Sequence, residues 1–207
     1  MYYVTHKIEF PDVSLASKEG LLAIGGDLTA NRLLLAYQRG IFPWFSDGEP
    51  ILWWSPNPRF VLFPEKLKVS KSMTQMIRKH ELTVTFNSAF EDVIHQCAKT
   101  KRSGQLGTWI TTSMIDAYIA LHKLGVAKSV EVWQENKLVG GLYGVDLGNG
   151  IFCGESMFSK VSNASKLALI WLVQNHDYKL IDCQVYTKHL ESLGAENIPR
   201  HEFLNYL

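Results

Sequence analysis

The stretch SVEVWQENKLVGGLYGVDLGNGIFCGESMF, residues 129–158, decides the fold. Ser129 to Trp133 alternates as a strand does, and Glu135-Asn136 supplies a turn. Leu138 to Val145 is the return strand, Gly148-Asn149-Gly150 is a second tight turn, and Ile151 to Phe158 is a third strand. Three strands joined by short turns form an antiparallel meander. Downstream the period changes. Asn163 or Ser165 caps a long apolar helix over Leu167 to Val173, and Lys179 to Val185 reads as a final strand.

Upstream of the meander, helices alternate with one short strand. Ser70 caps a helix through Met73, Met76 and Ile77, and Leu82 to Phe86 is a strand. Phe90, Val93, Ile94 and Cys97 fall at i, i+3, i+4 and i+7 of a helix that runs to Ala98. Thr112 or Ser113 opens another helix, with Ile115, Tyr118 and Ile119 on one face, His122 half-exposed and Gly125 at its end. The first sixty residues are loop-rich. They contain one credible helix, capped by Thr29 or Asn31 and stopped by Gly40, and Pro56 and Pro58 mark a boundary after it. The expected organisation is a small N-terminal domain at 1–62 and a larger one at 63–207.

Helices, then a meander, then helix and strand make an α/β (α+β) sandwich. The sheet is expected to be mixed and mostly antiparallel, flanked by helices, in the acetyltransferase-like (GNAT) order of hairpin, central strand, helix and strand. The acyl-CoA signature of that fold, Gln/Arg-x-x-Gly-x-Gly/Ala opening a helix, is absent, and Ser159 to Lys166 stands in its place.

Composition narrows the class. The chain has 207 residues, 46% hydrophobic and 20% charged, enough to bury a core without staples. A net charge of +1 leaves any nucleic-acid site to a local patch. Cys97, Cys153 and Cys183 lack paired spacing, which argues against a disulfide framework or zinc site and for buried free thiols in a reducing compartment. No signal-peptide core and no apolar run of membrane-spanning length is present, so the chain reads as cytoplasmic, without a membrane.

Several residues are positioned for chemistry. Asp182 and Gln184 sit two apart on the last strand and share a face. Polar groups within an apolar strand either cap a neighbouring helix or pair with a buried donor, or they serve a site. A carboxylate there can orient an amide, and a Gln amide can hold an amine but cannot act as a titrating base. Glu155 on a glycine-flanked strand could meet a substrate ammonium or a ribose hydroxyl. Residues 64–104 carry eight positive and four negative side chains, including Lys66, Lys68, Lys71, Arg78, Lys79, Lys99, Lys101 and Arg102. Such a stretch can track phosphates or be a solvated helix face. Trp44, Trp53, Trp54 and Trp109 could stack on bases or fill a core. Gly140, Gly141 and Gly144 mark a bulge or a close backbone approach, and N–H groups near them could stabilise an oxyanion.

Eight strings, in order, carry a resemblance: GLLAIGGD (20–27), YQRGIFPWF (37–45), WWSP (53–56), GTWI (107–110), GLYG (141–144), FCGESMF (152–158), NASK (163–166) and LIDCQV (180–185). Together they resemble the bacterial leucyl/phenylalanyl-tRNA–protein transferases, from about residue 9 to the C-terminus. The resemblance implies transfer of leucine or phenylalanine from Leu-tRNA or Phe-tRNA to the N-terminal α-amine of proteins beginning with Arg or Lys. The product is a degradation signal of the N-end rule. It implies a monomer with no cofactor, neither metal nor nucleotide. By motif, Asp182 and Gln184 form the catalytic relay, Asp182 orienting Gln184. Trp44 and Trp109 hold the 3′ adenosine, with Tyr37 and Tyr118 lining the same mouth. Leu142, Phe152, Met157, Leu169, Leu172 and Ile181 form the donor side-chain pocket, with Glu155 beside it. The tRNA backbone is expected along Lys66, Lys68, Lys71, Arg78 and Lys79.

Overall fold

The structure is a computed structural model that describes residues 2–100 and 109–207. Lys101, Arg102 and the first two residues of the GTWI string lie outside the described residues. The elements run β1 (Tyr2–Val4), β2 (Leu21–Gly25), α1 (Ala30–Gln38), β3 (Phe42–Pro43), β4 (Leu52–Trp54), β5 (Arg59–Leu62), α2 (Lys71–Arg78), β6 (Thr83–Phe86), α3 (Phe90–Lys99) and α4 (Thr112–Lys123). They continue as β7 (Ala127–Gln134), β8 (Lys137–Asp146), β9 (Ile151–Ser159), α5 (Ala164–Asn175), β10 (Leu180–Gln184), α6 (Lys188–Glu191), β11 (Glu196–Ile198) and α7 (Arg200–Leu204).

A seven-stranded sheet in the order β11-β5-β10-β9-β8-β7-β6 is the frame. β7 to β9 are the antiparallel meander expected from the 129–158 stretch, β6 pairs antiparallel with β7 at its edge, and β10 joins β9 in parallel after the α5 crossover. This is the mixed, acetyltransferase-like sheet. β5 belongs to it as well, paired with β10 and β11. Because β5 spans Arg59–Leu62, the larger sheet already includes residues ahead of position 63.

The N-terminal region holds more than the one helix expected. β1, β2, β4 and β3 form a second, four-stranded sheet. Its strands are two to five residues long, too short for alternation to register along the chain. Trp53 is its anchor, fully buried, edge-on to Phe10 at 4.8 Å and donating its indole N–H to the Gly25 carbonyl at 2.8 Å. Burying an aromatic of this size stabilises by roughly 2–3 kcal/mol.

Local chemistry explains the helices. Ser70 caps α2 through Met73 N–H at 3.2 Å, as expected. α4 is capped one residue earlier than expected, by Thr111, which accepts from Met114 N–H. α3 lacks a side-chain cap of its own. The buried Glu131 carboxylate accepts from Ser88 and Ala89 N–H and from the Ser129 and Thr85 hydroxyls instead, placing negative charge at the helix N-terminus. Asn163 takes the N-cap position of α5 in a left-handed conformation, φ 67°, without a side-chain bond. α5 crosses β8 closely at Gly140, where a Cβ would come within 2.4 Å of Ala164 Cβ. His122 is half-buried, stacked on Phe90 at 4.3 Å with Nδ1 3.0 Å from the Ala127 carbonyl.

Candidate active site

β9 and β10 pair only as far as Cys153 and Asp182, and then part. Each carries an irregularity at that point. In β9, Tyr143 faces Ser156 while Gly144 faces Gly154, which leaves Glu155 as the extra residue of a bulge. In β10, Asp182 faces Val61 while Gln184 faces Phe60, which leaves Cys183 as the extra residue, and Gln184 adopts φ 64°. Between the two bulges opens a cavity of about 540 Å³, in the size range of small-ligand sites.

Leu142, Phe152, Met157, Leu169 and Ile181 line this cavity, together with Glu155, Gln184, Trp44 and Trp109. Leu172, expected in the same pocket, is buried in the core beside α5 and is not part of the wall. It lies three residues beyond Leu169, about 4.5 Å further along the helix axis. Tyr37 and Tyr118 do not line the mouth either. Both are fully buried behind Glu155, with their rings in the core formed around α1, α3 and α4.

Those two tyrosines supply the electrostatics of the site. Tyr37 donates to Glu155 Oε1 at 2.7 Å and Tyr118 to Oε2 at 2.9 Å, and the two hydroxyls also contact each other. Gln184 Nε2 donates to Glu155 Oε1 at 2.7 Å. With its amide nitrogen engaged, Gln184 keeps its Oε1 for another donor. Burial pushes the Glu155 carboxyl up from 4.5 to about 7, against these three hydrogen bonds that favour the anion. Burial and the neighbouring Glu155 charge raise both tyrosines well above their ordinary range, which keeps them protonated donors.

Asp182 has a different place from the one expected. It is fully buried, is not among the residues lining the cavity, and forms a two-pronged ion pair with Arg59, Nε to Oδ1 at 2.7 Å and Nη2 to Oδ2 at 2.6 Å. Burial opposes the Arg59 charge, but the Asp182 carboxylate holds the guanidinium above its ordinary pKa. Asp182 reaches Gln184 through the backbone, its Oδ1 accepting from Gln184 N–H at 2.9 Å. It therefore shapes the bulge and makes no contact with the Gln184 amide.

The glycine-rich strand has another use too. β8 is paired on both sides, with β7 and with β9, so its N–H groups serve the ladder. Its glycines relieve crowding: a Cβ on Gly144 would lie 2.3 Å from the Cys153 carbonyl oxygen. The open edges that face the cavity belong to β9 beyond Cys153 and β10 beyond Asp182.

Trp44 is about one-third exposed and tilts against Trp54 at 5.9 Å, while Trp54 donates to the Trp44 carbonyl at 2.7 Å. Of the basic residues, Lys66 pairs with Glu196 and Lys79 reaches Glu81 at 4.0 Å. Lys68, Lys71 and Arg78 are exposed without a salt bridge among the described residues. Cysteines 97, 153 and 183 are free and buried, and burial pushes the Cys153 and Cys183 thiols up. No group of three or more His, Cys, Asp or Glu among the described residues is arranged to hold a metal ion. No helix among them is long and apolar enough to cross a membrane.

Sequence reasoning missed Arg59 as Asp182's partner, and also Phe42, Pro43, Cys183, Tyr186, Thr187 and His189 on the cavity wall. Arg59 left a signal: an arginine opening the apolar run Phe60-Val61-Leu62 requires a buried acceptor.

Comparison with known proteins places this geometry among relatives. A family model described as "Leucyl/phenylalanyl-tRNA protein transferase" matches residues 61–207, and one for the N-terminal domain of that transferase matches residues 26–57. A "Leucyl/phenylalanyl-tRNA--protein transferase" of Flavobacterium johnsoniae is 60% identical over 210 residues, covering 100% of this chain and 99% of the relative. One of Flavobacterium psychrophilum is 58% identical with the same coverage, and one of Pectobacterium carotovorum is 55% identical over 98% of this chain and 87% of its own. Among solved structures, a functionally unknown conserved protein from Staphylococcus epidermidis overlays with TM-score 0.50 at 9% identity, covering 86% of this chain and 68% of its own. That likeness concerns the fold alone.

Proposed function

The chain belongs to the leucyl/phenylalanyl-tRNA protein transferase family, and from that membership we propose that it moves leucine or phenylalanine from charged tRNA to the N-terminal α-amine of proteins beginning with Arg or Lys. It is an aminoacyltransferase that takes its acyl group from tRNA and delivers it to protein. The observation that carries the finer reading is the pairing of an apolar pocket with one carboxylate and one amide. Glu155 is the sole Asp or Glu on the cavity wall among the described residues, and Gln184 lies in hydrogen-bond contact with it.

In this reading the donor side chain enters among Leu142, Phe152, Met157, Leu169 and Ile181. Such a pocket separates side chains by only ~1–3 kcal/mol per methylene, so leucine and phenylalanine are both accepted. Trp44 and Trp109 stack on the 3′ adenosine. The tRNA body lies along Lys68, Lys71 and Arg78 and is held through phosphates, with little sequence preference.

The donor ester is already activated, so positioning supplies much of the acceleration. The acceptor ammonium gives one proton to Glu155, and Gln184 Oε1 holds the resulting amine by accepting a hydrogen bond from it. Its nitrogen attacks the ester carbonyl, the C–N bond forms and the C–O bond to the 3′ oxygen breaks. The nitrogen's second proton leaves with that oxygen. In this reading an N–H group on the open edge of β9 beyond Cys153 receives the oxyanion.

We place the reaction in the bacterial cytoplasm, in a single copy of the chain, as the marking step for N-end rule degradation. Free cysteines suit a reducing compartment, and one chain supplies every group named above. The test mixes labelled Leu-tRNA with a peptide that begins with Arg. Label is expected on the free peptide and not on its Nα-acetylated form, and absence of transfer by folded protein refutes the reading.

A further inference from the structure

Arg59 lies outside the cavity, yet it holds Asp182 behind the Gln184 bulge and touches Phe42 of the cavity wall. One edge of its guanidinium grips Asp182, which accepts Gln184 N–H and so holds the left-handed bulge. The remaining nitrogen, Nη1, donates to the Gly40 carbonyl at 3.1 Å. Its Cζ lies over two rings, Phe42 at 4.8 Å and Phe203 at 4.6 Å from the centroids. Phe42 and Pro43 line the cavity and lead directly into Trp44. Gly40 and Phe42 come from the N-terminal region, Asp182 from β10 and Phe203 from α7, so three separate parts of the chain meet on one planar cation.

We propose that Arg59 is a positioning residue for the transfer reaction: it fixes the Gln184 bulge and the Phe42–Trp44 segment relative to each other. The proposal rests on the aminoacyl-transfer reading. If Gln184 holds the amine and Trp44 the adenosine, the distance between these two side chains sets whether amine and ester meet. No direct contact between them maintains that distance in the bonds described above. Arg59 does so through one rigid group with a hydrogen-bonded edge, a third donor and two cation–π contacts.

Charge alone does not account for this arrangement. A buried ion pair is often replaceable by apolar side chains of similar volume at no loss of stability, whereas removing one partner is strongly destabilising. Nor can lysine reproduce it, because a point-like ammonium cannot fork across both Asp182 oxygens while a further donor reaches the Gly40 carbonyl. These two facts separate positioning from support.

The test measures kcat and the KM for Leu-tRNA in wild type, Arg59→Lys and the double variant R59M/D182L, with melting temperature in parallel. R59M/D182L removes both charges together and is expected to melt within a few degrees of wild type. Its kcat is expected to fall about 100-fold, the scale of an ångström of misplacement, and its KM to rise as the Trp44 segment loosens. Arg59→Lys keeps the charge and is expected to shift both constants in the same directions. If the double variant does not fold, Arg59→Lys decides. A folded variant of either kind with wild-type kcat and KM overturns the proposal. Wild-type protein that transfers nothing in the same assay overturns the functional reading, and this proposal falls with it.

Discussion

Gln184 donates its side-chain amide to Glu155 Oε1 at 2.7 Å, across the gap where β9 and β10 part. Two bulged strands thus present one amide and one carboxylate to the same cavity. The division of labour follows from what each group can do. In the proposed reaction Gln184 orients the amine and Glu155 takes its proton, while Asp182, enclosed with Arg59, accepts the N–H of Gln184 at its left-handed backbone position.

Gln184→Asn separates the bulge from the reach of the side chain. Asparagine tolerates left-handed φ better than other non-glycine residues, so the bulge survives and the melting temperature is expected to stay near wild type. The shorter side chain loses Glu155, and the rate at saturating Leu-tRNA is expected to fall on the order of 100-fold. Thermal melts and single-turnover transfer check the two halves. A large drop in melting temperature would mean that the amide mainly supports the fold.

Glu155 makes stability depend on pH in a defined direction. Its carboxyl is raised from 4.5 to about 7 on folding. A group raised in this way favours the folded state below about pH 4.5, and that contribution is lost as pH rises through about 7. Wild type is therefore expected to lose stability relative to Glu155→Gln across this window, by on the order of 3 kcal/mol in total. Denaturant unfolding of both proteins across the window checks it. Parallel pH profiles would show that Glu155 titrates at its ordinary value.

Trp44→Ala and Trp109→Ala bear on donor binding. Each is expected to weaken Leu-tRNA affinity by about 5- to 150-fold, the loss of ~1–3 kcal/mol of base stacking. The rate at saturation is expected to stay near wild type for Trp109→Ala and to fall for Trp44→Ala, whose ring also places the ester relative to Gln184. Direct titration with charged tRNA separates the two quantities.

The basic residues differ in availability. Lys66 and Lys79 already face Glu196 and Glu81, while Lys68, Lys71 and Arg78 are exposed without such partners among the described residues. Replacing Lys68, Lys71 or Arg78 with Ala is expected to reduce the steepness of the affinity-versus-salt plot by about 0.7–0.9 per lost phosphate contact. Lys66→Ala and Lys79→Ala are expected to change it less. Affinities measured over a salt series check this, and equal slopes for all five would place the tRNA elsewhere.

The meander, α5 and β10 were legible because their signals are local: alternation over Ser129–Trp133, turns at Glu135-Asn136 and Gly148–Gly150, and an apolar helix between. The four-stranded sheet was not, since strands as short as Phe42–Pro43 show no period. Around the site, chain position pointed to Glu155, Asp182 and Gln184. Their tasks depended on partners far away in sequence. Arg59 lies 123 residues before Asp182, and Tyr37 lies 118 before Glu155. The bulge at Cys183 also broke the simple alternation that had joined Asp182 to Gln184 as one unit. A bulge is defined by the strand it pairs with, so one strand's sequence does not reveal it.

The most direct measurement of the central claim is the single-turnover rate of leucine transfer from Leu-tRNA to an Arg-peptide by wild type and Glu155→Gln across pH. The acceptor amine titrates as well, with an ordinary α-amino pKa of about 7.7–8.0; wild type draws on the ammonium, whose proton Glu155 takes, whereas Glu155→Gln transfers only from the free amine. The wild-type rate is therefore expected to exceed the variant rate by a constant factor below about pH 7, and that ratio to fall as pH rises above it, with Leu-tRNA affinity equal in both proteins. A ratio near one at every pH would contradict it, and would leave Glu155 without a part in moving the proton.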